Sequence, residues 1–171
     1  AEGAPLLTIY GAKITSYRHV AEGAVDALAG HIDALARKHW TGKASLPGGD
    51  FATDGIAALK AEYKLAYPFL TVATVDRIAR AYGTDAKRWL GNATGWDELS
   101  GEIAHGLSVA EVRWMVTHEW ARTTDDILWR RSKLGLHFTP DEVTALAGQT
   151  ARLVSEARLA DPEYFEGRVN N

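Results

Sequence analysis

The chain has 171 residues, 46% of them hydrophobic, and its 19 basic and 22 acidic side chains give a formal charge of −3. That length and composition can bury a sizeable core and favour one domain with an appendage. The near-balanced charge offers no broad attraction to phosphate backbones, so nucleic acid is not expected as a partner, and the absence of cysteine excludes a disulfide framework, thiol catalysis and cysteine-ligated zinc.

No apolar run approaches the ~20 residues needed to span a bilayer, and the first residues lack the basic-then-apolar pattern of a secretory leader. Together with the lack of cysteine, this fits a cytoplasmic setting. The short run LLTIY, residues 6–10, reads as a β-strand that turns through Gly11 into a helix. From Thr15, the residues Tyr17, Val20, Ala21, Ala24, Val25, Leu28, Ile32 and Leu35 recur at three- and four-residue spacing, which predicts a long helix to about Lys38. Thr15 or Ser16 can cap its start. A lone strand leaves its ladder groups unpaired. That orphan strand, and Ala rather than Met at position 1, point to a boundary inside a longer chain.

The stretch HWTGKASLPGGD then breaks periodicity at Pro47, Gly48 and Gly49, and a domain boundary is placed near residue 42. Beyond it the signals are helical almost throughout. Thr53 opens one helix that Pro68 stops, and a second runs from Thr71 to Gly83. Thr84 restarts a short one through DAKRWL. Ser108 and Glu111 have capping-box spacing ahead of Val112, Met115, Val116 and Trp120. Thr139, Pro140 and Glu142 repeat that signal more strongly before a last helix that ends ahead of Pro162.

Few residues suggest chemistry by type and spacing. His118-Glu119 begins a zinc-protease pattern, but position 122 is Arg where a second histidine is required. His19, His31, His39, His105 and His137 lack ligand spacing, so no metal is assigned. No phosphate-binding glycine fingerprint or nucleophile elbow occurs. Residues 111–136 concentrate charge and tryptophan. The favoured reading is a helix pair whose Trp114, Trp120 and Trp129 fill a core while Asp126–Arg130 and Glu119–Arg122 form local ion pairs. The sharper alternative is a catalytic or anion-binding Arg130–Arg131 pair. In GAKITSYR, residues 11–18, a helix start directly after a strand would aim unpaired N–H groups and a positive dipole end beyond the sheet, toward an anion or an electron-rich ring edge.

The segments GAKITSYRHVAE, LPGGDF, YPFL, RIARAYGTDA and EVRWMVTHEWARTTDDILWRRSKLGL occur here in an order that resembles the C-terminal portion of FAD-dependent aerobic glycerol-3-phosphate dehydrogenases. The resemblance extends from about Leu6 to Leu136 and is most specific at residues 11–18 and 111–136. It implies a mainly α fold. Residues 1–42 would be the terminal strand and helix of a glutathione-reductase-type FAD-binding domain, and residues 43–171 an all-helical C-terminal domain.

The family's enzymes oxidise sn-glycerol 3-phosphate to dihydroxyacetone phosphate and pass electrons through FAD to quinone. By resemblance, this chain is a fragment of such a flavoprotein, inactive by itself. Its partners would be the remainder of the FAD domain, and the parent would lie at the cytoplasmic face of a membrane. The family motif Gly-Gly-Lys-(Ile or Leu)-Thr-Thr-Tyr-Arg is matched at Gly11, Lys13, Ile14, Thr15, Tyr17 and Arg18. This places Lys13, Ile14 and Thr15 beside the flavin, with Lys13 as a contact to substrate or flavin edge and Arg18 holding the helix to its domain. Ser16 keeps the hydroxyl of the second threonine. Ala12 adds a β-carbon where the motif has glycine. No catalytic residue is otherwise assigned. A second reading is a stand-alone helical interaction module that self-associates through residues 6–10, and a third is nucleic-acid binding through Arg130, Arg131 and Lys133.

Overall fold

The computed structural model describes residues 3–11, 13–35 and 38–162. They fall into two compact units that divide after Leu46, residues 1–46 and 47–171.

In the first unit, residues 6–10 join no ladder. A strand is defined by its pairing, and the only ladder among the described residues lies elsewhere. Gly11 takes a left-handed φ of 70° and Lys13 an extended conformation, after which a 3-10 turn, Ile14–Ser16, leads into helix α1, Tyr17–Ala29. The long helix expected to reach Lys38 is therefore shorter. It stops at Gly30, a residue of low helix propensity, where the amides of His31 and Ile32 both fold back to the Leu28 carbonyl. The apolar spacing continues through Ile32 and Leu35, but a separate 3-10 turn, Asp33–Leu35, carries the latter. Ala12 lies outside the described residues.

The segment at residues 38–43 is tied to α1 by polar contacts. Arg18 donates to the Thr41 carbonyl and the Thr41 hydroxyl to Glu22, while His39 Nε2 sits 2.9–3.0 Å from both Asp26 carboxylate oxygens. The hydrogen bond to Asp26 and its charge raise the His39 pKa. None of the described residues in this unit is buried.

The second unit is built differently. Helices α2, Ile56–Ala66, and α3, Val72–Tyr82, pack on each other across the turn at Pro68, and Thr71 caps α3 by accepting from the Thr74 amide. Val75, Ile78, Ala79 and Tyr82 make the buried stripe of α3. Burying each larger apolar side chain of such a stripe stabilises by about 1.5–3 kcal/mol. At the end of α3 the backbones of Gly48 and Gly83 cross, both with positive φ, and a β-carbon on either would collide with the other strand of the crossing. The Thr84 amide donates to the Gly48 carbonyl across it at 3.0 Å.

A short helix α4, Ala86–Leu90, leads to a two-stranded antiparallel hairpin, β1 (Glu102–Ala104) and β2 (Leu107–Ser108). His105 and Gly106 form its tip, both with positive φ. Helix α5, Val109–His118, follows directly, with Ser108 accepting from the Glu111 amide. The reciprocal half of the expected capping box is replaced: the Glu111 carboxylate turns into the core to meet Arg77 and Tyr82.

After α5 the expected helix pair gives way to a break and a π-helix, Asp126–Arg131. This corrects the placement of the tryptophans. Trp114 is buried, whereas Trp120 is 66% exposed at a φ of 59° and Trp129 is 48% exposed. Ile127 and Leu128 occupy the buried face of the π-helix, turning Trp129 outward over Gly135, where a β-carbon would strike the indole. Helix α6, Pro140–Ala160, starts with the full capping box of Thr139 and Glu142 and packs Leu146, Thr150 and Leu153 inward. No described helix is long and apolar enough to cross a membrane.

Candidate functional site

Lys13, Ile14 and Thr15 stand together at the start of the first unit's helix, all three exposed. The Lys13 carbonyl accepts from both the amide and the hydroxyl of Ser16, each at 2.9 Å, which fixes the turn. Helix geometry leaves the leading amides of Ile14 and Thr15 without intrahelical acceptors. No side chain caps this start, whereas Thr71, Ser108 and Thr139 cap α3, α5 and α6. Ile14 is 88% exposed. The turn thus leaves two backbone donors at its start and the side chains of Lys13 and Ile14 exposed. Arg18, one turn on, is engaged with the Thr41 carbonyl.

The cations that a helix-pair segment could have offered to an anion are occupied. Arg130 pairs with Asp126 at 2.9 Å, Arg131 donates to the Glu119 carbonyl, and Lys133 to the Trp129 carbonyl. Asp126 also accepts from the Arg122 and Thr123 amides and the Thr123 hydroxyl. Burial works to raise its pKa, but these donors and Arg130 outweigh it and bring the group down to about 2.

The second unit contains a polar constellation that sequence reasoning missed. Glu111 is fully buried on α5, and Arg77 on α3 contacts its carboxylate through both terminal nitrogens, Nη2 at 2.8 Å. The same Nη2 donates to the Gly106 carbonyl at the hairpin tip, and the Tyr82 hydroxyl donates to Glu111 at 2.8 Å. Burial, then the neighbouring Glu111 charge, pushes the Tyr82 hydroxyl well above its ordinary range, so it stays a donor. Burial would lower the Arg77 pKa, but Glu111 reverses that. Every member has a partner, which makes the cluster a structural key between α3, α5 and the hairpin. Its one sequence signal was a glutamate placed among the apolar positions Val112 and Met115.

Two grooves flank this key. One, of about 460 Å³, is lined by Thr74, Arg77, Glu102, His105 and Gly106, with His105 3.2 Å from Glu142. The other, of about 310 Å³, includes Tyr82, Arg88, Trp114, His118 and Glu119. There the His118 ring stacks on Trp114 at 3.8 Å and Arg88 lies 4.8 Å over the same indole. Burial raises the Glu119 pKa against the hydrogen bond from Trp114 Nε1. Among the described residues no three His, Cys, Asp or Glu side chains converge as a metal site.

The second unit is thus a mainly helical domain in which a buried ion pair ties α3 and α5 to the hairpin. Over residues 39–163 the chain matches the family described as the C-terminal domain of alpha-glycerophosphate oxidase, and it belongs to that family. It is 37% identical over 139 residues to the aerobic glycerol-3-phosphate dehydrogenase of Escherichia coli, covering 81% of this chain and 27% of that protein. It is 39% identical over 142 residues to a glycerol-3-phosphate dehydrogenase of Pseudomonas aeruginosa, covering 83% and 27%. It is also 36% identical over 143 residues to the D-erythritol 1-phosphate dehydrogenase of Brucella abortus, covering 84% and 28%. The chain therefore spans little more than a quarter of the length of these relatives.

Proposed function

We propose that the chain is the C-terminal part of an FAD-dependent dehydrogenase that oxidises sn-glycerol 3-phosphate to dihydroxyacetone phosphate, with electrons leaving through FAD to quinone. The observation that carries this is the 37–39% identity to glycerol-3-phosphate dehydrogenases over four-fifths of the chain. On this reading residues 1–42 complete the FAD-binding domain and residues 43–171 form the helical C-terminal domain. Support comes from the first unit, which buries none of its described residues and so lacks a core of its own. The remainder of the FAD domain is then its partner, and the whole enzyme works in the cytoplasm at the membrane surface.

The exposed, uncapped start at Lys13, Ile14 and Thr15 fits an isoalloxazine edge. FAD, when bound, takes the two electrons removed from the substrate carbinol. The amides of Ile14 and Thr15 would offset negative charge on the ring by hydrogen bonding and dipole, and the Lys13 ammonium would attract the substrate phosphate or the ring edge. The chain alone is catalytically silent in this scheme, since it supplies one edge of the site.

The test is a chimera in which residues 1–171 replace the matching part of the E. coli enzyme. It should bind FAD and reduce a dye with sn-glycerol 3-phosphate. A folded chimera that binds FAD but fails to reduce the dye with sn-glycerol 3-phosphate would overturn the reading. Stoichiometric FAD or dye reduction with the 171-residue chain alone would overturn its role as one part of the site.

A further inference from the structure

We draw no further inference here: the strongest candidate, the exposed apolar face of the first unit around Ile9, Tyr10, Ile14 and Tyr17, carries nothing beyond the reading already proposed, because nothing else in the structure shows what covers it.

Discussion

Arg77 and Glu111, 34 residues apart, form a two-nitrogen ion pair whose carboxylate is wholly inside the second unit. Removing one partner leaves a buried, uncompensated charge. Arg77→Ala should therefore destabilise the chain by about 3–5 kcal/mol. Replacing both at once, as Arg77→Met with Glu111→Leu, should cost distinctly less than Arg77→Ala, because no charge is then stranded. Urea unfolding of the single and double variants measures this, and a double variant weaker than Arg77→Ala would show that the pair does more than neutralise itself.

The Gly48–Gly83 crossing predicts a graded response to alanine. Gly48→Ala and Gly83→Ala each combine a left-handed φ with a collision against backbone, and should lose about 2 kcal/mol or more. Gly91 has a similar φ of 55° but open space around it, so Gly91→Ala should lose less than either: the about 1–3 kcal/mol of backbone strain without the collision. Thermal midpoints of the three variants would separate strain alone from strain with collision.

Acid should weaken the turn before the π-helix. The folded-state pKa of Asp126, about 2, lies below its ordinary value of 3.8. Its contribution is therefore complete above pH 3.8 and is lost as the pH falls through about 2. Allowing for solvent screening at this partly exposed group, the contribution is about 1 kcal/mol. The stability gap between the native chain and Asp126→Asn should be constant near neutral pH and close between pH 4 and 2. A gap unchanged at pH 2 would remove the carboxylate from the account.

In the FAD-loaded chimera, Lys13→Ala should lower glycerol-3-phosphate-dependent dye reduction by about tenfold or more while FAD content stays constant. Arg130→Ala, whose guanidinium is spent on Asp126, should leave turnover within about twofold of the parent. Steady-state assays with absorbance-determined flavin content distinguish the two. Equal losses from both variants would count against Lys13 as a contact of the reacting groups.

Limited proteolysis should cut the 171-residue chain within its first unit and leave a resistant body beginning near Pro47. The first unit has no buried side chain among its described residues to hold it closed, while the second has a continuous apolar core. A fragment of residues 47–171 should then unfold at nearly the same temperature as the whole chain. Light scattering on a chain lacking residues 1–12 would also test the rival view of residues 6–10 as a self-association element, because a change from dimer to monomer would support it.

What the sequence made legible was local. The Thr139–Pro140–Glu142 signal and the Thr71–Gly83 helix are set by contacts three or four residues apart, and the folded chain forms both. The same logic misjudged α1, since apolar spacing through Ile32 and Leu35 outlasts a helix that Gly30 ends. It also put Trp120 and Trp129 inside: α5 ends before Trp120, which takes a positive φ, and around Trp129 a π-helix alters which side chains face the core and leaves no periodic trace in so short a run. The partnership of Glu111 with Arg77 and the Gly106 carbonyl needed three elements brought together in space, and no spacing rule reaches that far. Residues 11–18 were legible as a motif, and the structure adds that their helix start is uncapped and exposed.

The glycine crossing has a consequence for hydrogen exchange. By joining Gly48 to Thr84 through backbone, it closes the α2–α3 pair into a ring without a covalent link. The Thr84 amide hydrogen, held in that ring, should therefore exchange with solvent more slowly than the amides of exposed turns.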